Sequence, residues 1–177
     1  MKFYCLLIIF FVCGTCVTKA QKDQVEDEIR SSFDYSKKVL TYVEESISYM
    51  NKCKHTSSLE DAKLYAKRAK NEIDYAIREC SNAVSDASDA ESEASDIRCD
   101  DTESEADDAE EEFSAAKTKF DDAYTYLRRA ENASDSDEFI QNYKRSLSAI
   151  EDGIEKIRSG QVNLREALNN LNSCKAK

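Results

Sequence analysis

The fold is decided by residues 62–97, AKLYAKRAKNEIDYAIRECSNAVSDASDAESEASDI. Small or apolar residues recur here in alternating steps of three and four, which is the spacing of an α-helix that buries one face. The series is Ala62, Ala66, Ala69, Ile73, Ala76, Cys80, Ala83, Ala87, Ala90, Ala94 and Ile97. Because this spacing averages 3.5 residues, the pattern predicts a coiled-coil-like heptad seam with left-handed supercoiling.

Three other segments repeat the same spacing. The first seam runs Ile29, Phe33, Ser36, Leu40, Val43, Ile47 and Met50. The third runs Ala106, Ala109, Phe113, Ala116, Phe120, Ala123, Leu127 and Ala130. The fourth runs Ile140, Tyr143, Leu147, Ile150, Ile154, Ile157, Gln161, Leu164, Leu168 and Leu171. Proline is absent from the chain, so strong helix breakers do not interrupt these seams.

Capping residues divide the four seams. Ser57 with Glu60 forms a predicted capping box, as does Thr102 with Glu105, and residues 134–136 open the last helix. We therefore predict an all-α fold, a long antiparallel up-down four-helix bundle. Its helices are expected at about 22–53, 58–98, 102–132 and 136–174. Gly153 and Gly160 lie seven apart, beside the fourth seam, and indicate close packing against a neighbouring helix.

The first twenty residues are typical of a secretory signal peptide. Lys2 precedes an apolar stretch over residues 3–12, which is shorter than the roughly twenty residues of a membrane span. Cleavage after Ala20 would leave residues 21–177 as a single helical bundle domain, secreted and extracellular. No later apolar stretch predicts a membrane span. The net charge of -11 also makes nucleic acid an unfavourable partner.

Four cysteines follow the predicted signal peptide, and an even number in an exported chain favours disulfides. Cys99 and Cys174 are expected at the same end of the bundle, so they form the natural pair. Cys53 is expected at the opposite end, and Cys80 would lie roughly 33 Å from the start of a straight second helix, too far from Cys53 for a direct bond. Their pairing requires an extended return, a helix break or a second chain; otherwise Cys80 is a small core residue. His55 is the only histidine, and we predict no metal site and no cofactor.

Acidic residues dominate residues 86–112, which hold fourteen carboxylates and one base, Arg98. This run predicts one strongly negative end of the bundle, either a solvated face or a surface that binds a basic protein or a divalent cation. The candidate partner-binding residues in it are Asp107, Asp108, Glu110, Glu111 and Glu112.

Two further motifs suggest surface roles. Tyr35, Tyr42 and Tyr49 recur every seven residues beside the first seam, where tyrosine either covers the core rim or contacts a partner. Asn132 begins an Asn-Ala-Ser glycosylation motif at the turn before the fourth helix. No phosphate-binding loop, nucleophile elbow or Cys-His couple is present, so we predict that the protein is not an enzyme.

The chain resembles secreted insect proteins of the tsetse EP type, which are acidic, helix-rich and cysteine-containing. The resemblance rests on residues 77–83 (IRECSNA), on the Ala-rich acidic segment that ends at Cys99, and on residues 171–174 (LNSC). Members of that family have more cysteines in their middle portion than this chain has. The resemblance implies a secreted protein of insect saliva or gut. Plant invertase and pectin-methylesterase inhibitors are similar four-cysteine bundles, but their early cysteine hairpin is missing here.

Two functions follow as hypotheses. The first is an interaction protein that presents the acidic end, and the tyrosine stripe, to an extracellular protein partner. The alternative is a carrier that encloses a small hydrophobic ligand between its helices, although an Ala-rich seam leaves little volume for one. A homodimer is open, because such seams can close within one chain or between two.

Overall fold

The computed structural model describes residues 19–174, which form four α-helices: α1 Lys19–Lys54, α2 Leu59–Asp96, α3 Asp100–Glu131 and α4 Ser136–Ser173. This confirms the predicted up-down four-helix bundle, and the described range contains no strand. Each helix packs on the next along the chain, and α1 meets α4 in a looser contact that closes the ring. The predicted signal peptide lies outside the described residues except for Lys19 and Ala20, which begin α1.

The seams of α2 and α3 match the sequence prediction at every position. All eleven predicted residues of the second seam and all eight of the third are buried. Most of these residues are alanines, so the backbones of α2 and α3 approach closely. Each helix also carries charged residues on its outer face, and none between residues 19 and 174 is long and apolar enough to cross a membrane.

The seam of α1 matches the prediction at alternate positions only: Ile29, Ser36, Val43 and Met50 are buried, but between them the buried residue lies one earlier in the chain than predicted. Val39, Ser32 and Ser46 are fully buried, whereas the predicted Leu40 is only half-buried. The Ser32 hydroxyl donates to the Ala83 carbonyl at 2.8 Å, and the Ser46 hydroxyl donates to the Ala69 carbonyl at 3.1 Å. Because both hydroxyls are hydrogen-bonded to α2 carbonyl groups, the two serines can be buried. They occupy core positions that hydrophobicity alone assigned to their larger neighbours.

The same correction applies to α4, where the predicted Ile140 is 46% exposed. Gly153 and Gly160 lie within the buried face of α4 rather than beside it. A Cβ at Gly160 would lie 2.5 Å from a ring carbon of Phe113, and one at Gly153 would lie 2.5 Å from Phe120. Each glycine packs against a phenylalanine ring of α3, as the predicted close packing requires.

Helix caps differ from the sequence prediction at two of three places. Ser58, not Ser57, caps α2 and accepts from the Asp61 amide at 3.3 Å. Thr102 lies buried inside the first turn of α3 and caps nothing. Asp135 caps α4 as expected, accepting from the Glu138 amide at 2.9 Å.

The turn between α2 and α3 positions a cysteine. Arg98 adopts a left-handed conformation with φ of 57°, a position where glycine is usual. Its amide donates to the Ser95 carbonyl at 2.9 Å, and the Cys99 amide donates to the Ala94 carbonyl at 3.0 Å. This pair of bonds is a Schellman motif, which ends α2 and leaves Cys99 at the start of α3.

Candidate functional site

The acidic run occupies one end of the α2–α3 pair. Residues 86–112 cover the last turns of α2, the connecting turn and the first turns of α3. Their carboxylates face one another across the two antiparallel helices. Burial raises the pKa of Glu91, and Asp107, Glu110 and Glu103 on α3 raise it further.

Charge is unevenly divided along the bundle. The half made of residues 19–36, 78–115 and 155–174 holds 22 acidic and 8 basic residues. The other half, residues 37–77 and 116–154, holds 14 of each. The whole negative net charge of the described chain therefore belongs to one end.

Within that end, the α2–α3 side carries most of the excess. Residues 78–115 contain 15 acidic residues and only two bases, Arg78 and Arg98. Arg78 bonds to Asp74, so it does not neutralise the run. The opposite side, formed by α1 and α4, has nearly balanced charge. The bundle thus has a defined negative surface, named here the acidic face and consisting of residues 86–112.

The five predicted acidic contact residues are not equivalent. Asp107, Asp108 and Glu111 are exposed, whereas Glu110 is half-buried beside α2. Glu112 is paired with Lys156 of α4 at 3.0 Å, so its carboxylate already has a cation. The residues available to a partner are therefore mainly those on the outer surface of α3.

A carboxylate cluster that the sequence prediction missed joins α1 to α2. One carboxylate oxygen from each of Glu28, Asp86 and Asp89 lies within 4.8 Å of the others. Burial raises the pKa of Glu28, and Asp86, Glu93 and Asp89 raise it further. Three carboxylates can ligate a divalent cation, but calcium takes six to eight oxygen atoms, so water would complete the set. The only sequence signal was the heptad register, which places Glu28 opposite the acidic end of α2.

The tyrosine stripe lies along the outer groove between α1 and α2. Tyr35, Tyr42 and Tyr49 are half-buried and pack against the core. The ring of Tyr42 lies 5.4 Å from that of Tyr75, and the guanidinium of Arg68 lies 5.9 Å from the ring of Tyr49. These neighbours come from within the chain, so the stripe covers the rim of the core, with part of each ring left at the surface.

The predicted Cys99–Cys174 disulfide is present, and Cys53 and Cys80, for which the sequence left several alternatives, do not bond to each other. Cys99 and Cys174 are bonded, with their Cα atoms 5.8 Å apart, and they join α4 to the α2–α3 turn. Cys53 and Cys80 are instead free and buried. Because α2 is continuous, the two thiols stay far apart: Cys53 contacts the Ala62 carbonyl at 3.5 Å, and Cys80 contacts the Phe113 carbonyl at 3.1 Å. Cys80 is the small core residue that the sequence allowed.

Free thiols in the described chain are poor nucleophiles. Burial raises the pKa of Cys53 to about 11 and that of Cys80 to about 12. The thiolate is the reactive form of cysteine, so both groups are inert near neutral pH. His55 lies exposed on the turn after α1. Within residues 19–174, the one histidine is therefore exposed, whereas both free cysteines are buried.

The predicted glycosylation position is at the surface. Asn132 ends α3, is exposed, and donates its side-chain amide to the Arg128 carbonyl at 2.7 Å. Ser134, the third residue of the motif, donates its hydroxyl to Glu138 at 3.0 Å. The motif is thus ordered as a helix cap, and a glycan there would extend away from the acidic face.

The interior between the seams is filled. Phe113 and Phe120 are fully buried and occupy the space that the α4 glycines leave. The described residues line concavities at the surface instead, among them a cleft of about 280 Å³ between α1 and α4. Its walls combine two apolar and four charged side chains, Phe33, Leu168, Arg30, Asp34, Lys37 and Arg165.

Comparison with known proteins adds no assignment to this geometry. The chain matches no protein-family model, no curated protein and no solved structure.

Proposed function

We propose that this protein is a secreted, non-enzymatic interaction protein whose acidic face binds a cationic protein outside the cell. The observation that carries the proposal is the confinement of the entire net charge to one end, where carboxylates outnumber bases by 22 to 8. A surface of one sign attracts an oppositely charged partner and speeds its association.

Burial and repulsion between neighbouring carboxylates lower the stability of the folded state at this surface. Burial and neighbouring acids raise the pKa of Glu91, and burial together with Glu166, Asp108 and Asp101 raises that of Glu105. A raised carboxyl pKa means that the folded state disfavours the charged form. A cationic partner would relieve this repulsion, so binding and stability are expected to rise together.

The carrier alternative has weaker support from the packing. Ligand sites enclosed by protein are usually cavities of about 300–1,000 Å³. Here the rings of Phe113 and Phe120 pack directly on Gly160 and Gly153, so the space between α3 and α4 is occupied. A ligand between the seams would have to displace core side chains.

The test compares two variants of equal net charge. The first neutralises four residues of the acidic face, as Asp107→Asn, Asp108→Asn, Glu110→Gln and Glu111→Gln. The control neutralises four exposed carboxylates of the balanced half, as Glu44→Gln, Asp121→Asn, Asp122→Asn and Glu151→Gln.

Each protein is immobilised, and proteins captured from extracellular fluid are identified by mass spectrometry. We expect one cationic protein to be retained by the wild type and the control but lost by the acidic-face variant. Its affinity for the wild type should fall steeply as salt increases. Equal capture by both variants, or capture of no defined protein by the wild type, would contradict the proposal.

A further inference from the structure

The α1–α4 side of the bundle combines an apolar stripe with a group of cations. Phe33, Leu40 and Ile47 of α1 recur every seven residues and are only partly buried. Leu147, Ile154 and Leu168 of α4 are partly buried in the same way. These are the residues that the sequence assigned to the seams and that the structure leaves at the edge of the core. The looser α1–α4 contact separates the two rows.

Cations concentrate at one end of this stripe. The cleft of about 280 Å³ has Phe33 and Leu168 as its apolar walls, and its charged lining residues are Arg30, Lys37, Arg165 and one acid, Asp34. The Lys37 ammonium lies 4.5 Å from the centre of the Phe33 ring, and the Arg165 guanidinium lies 5.3 Å from it. Two cations therefore lie over the Phe33 ring, and Arg30 lines the same cleft.

The three cations differ in their partners. Arg30 is paired with Glu26 at 2.6 Å, and Lys37 is paired with Asp34 at 2.7 Å. Arg165 makes no ion pair with any described residue, and its contact in the cleft is with the Phe33 ring. Its guanidinium can therefore accept an anion without breaking an existing pair, and its planar donors suit a carboxylate.

We propose that this cleft binds the carboxylate of a single-chain fatty acid, whose alkyl chain lies along the α1–α4 stripe. Arg165 holds the carboxylate, because Arg30 and Lys37 are already paired with Glu26 and Asp34. Phe33 and Leu168 contact the first methylenes. The alkyl chain then covers Leu40, Ile47, Leu147 and Ile154. The cleft of about 280 Å³ accommodates the carboxylate end, and the alkyl chain lies outside it along the stripe. The acidic face lies on the opposite side of the bundle, where salt screens its repulsion of the ligand.

The ligand test uses dodecanoate below its micelle concentration, titrated into the protein purified from the medium of expressing cells. Dodecanol supplies the same chain without charge, and acetate supplies the charge without a chain. We expect saturable one-to-one binding of dodecanoate, at least tenfold weaker binding of dodecanol, and none of acetate. Affinity should also rise several-fold from octanoate to decanoate to dodecanoate, because each methylene buries more apolar surface.

The residue test compares Arg165→Gln with Arg158→Gln. Arg158 is an exposed arginine of the same helix that does not line the cleft. We expect Arg165→Gln to weaken dodecanoate binding at least tenfold, with dodecanol binding and thermal stability unchanged, and Arg158→Gln to have no effect. The proposal is overturned if dodecanoate shows no saturable binding, if dodecanol binds equally well, or if the two variants behave alike. Partner capture by the acidic face is a separate measurement, so either proposal can fail alone.

Discussion

At the level of single residues, two glycine–phenylalanine contacts set the separation of α3 and α4. Gly153 and Gly160 are the only glycines in the described chain, and each faces a fully buried ring. At an exposed helix position, replacing glycine by alanine usually raises the free energy of unfolding by about 1 kcal/mol. Here the space that the missing side chain leaves is already used, so the usual preference for alanine should reverse.

We predict that Gly160→Ala lowers the free energy of unfolding by about 1–2 kcal/mol, because overpacking a filled core costs more than helix propensity returns. Urea unfolding followed by circular dichroism measures this change. Ser148→Ala, at an exposed position of α4, serves as the control and should leave stability unchanged or slightly raised. A Gly160→Ala variant as stable as that control would show that the Phe113 ring can move away.

The two free thiols give a second prediction at this scale. Because burial raises the pKa of Cys53 to about 11 and of Cys80 to about 12, neither should react with iodoacetamide at pH 8 in the folded protein. Both should react fully in urea without reductant. Peptide mapping by mass spectrometry reads each site separately. Failure to label them in urea would mean that they are bridged, and labelling of the folded protein would mean that the core opens.

At the level of helices, the hydrophobic pattern of the sequence and the structure bury different residues of α1. The hydrophobic series points to Leu40, whereas the structure buries Val39 completely and leaves Leu40 at the edge. Ile29, Ser36, Val43 and Met50 are buried in both descriptions, and the difference is confined to the alternate positions, where the buried residue lies one earlier in the chain. It follows from the serines at positions 32 and 46, which pack against α2 carbonyl groups.

We predict that Val39→Ser lowers the free energy of unfolding by about 2–3 kcal/mol, because it removes buried apolar surface and adds a hydroxyl to the core. Leu40→Ser should cost less than about 1.5 kcal/mol despite the larger side chain, since part of Leu40 already contacts water. Thermal and urea unfolding of the two variants decide the order. A larger loss for Leu40→Ser would support the register that hydrophobicity alone suggests.

At the level of the whole molecule, the acidic end should make stability depend on pH and salt. Burial and neighbouring acids raise the pKa of Glu28, Glu91 and Glu105, whereas these groups keep their ordinary pKa in the unfolded chain. As pH falls, the folded state therefore binds protons before the unfolded state does, and stability rises. The gain ends near the ordinary glutamate pKa. Asp34 acts oppositely at lower pH, because the hydrogen bond from Lys37 lowers its pKa.

We predict that the melting temperature rises as pH is lowered from 7 to 5, and also when salt is added at pH 7. Calorimetric scans at several pH values and two salt concentrations test this. Glu105→Gln should raise the melting temperature at pH 7 and flatten its pH dependence, whereas Asp121→Asn in the balanced half should do neither. A melting temperature that falls steadily from pH 7 to 5 would contradict this account.

Much of the architecture is determined by the sequence itself. Four helices, their bounds to within a few residues, and the complete seams of α2 and α3 follow from the 3–4 spacing, because every position of these two seams holds an alanine, a larger apolar residue or a cysteine. The Cys99–Cys174 bond follows too, since an up-down bundle brings the ends of α2 and α4 together.

Tertiary structure alone decided the rest. The buried residues that differ from the predicted seams of α1 and α4 include serine and glycine, which periodicity treats as neutral but which close packing places in the core. The approach of Glu28 to Asp86 and Asp89 and the grouping of cations around Phe33 depend on the stagger between helices. Hydrophobic spacing describes each helix separately, so it predicts which side is buried but not which side chains from different helices meet.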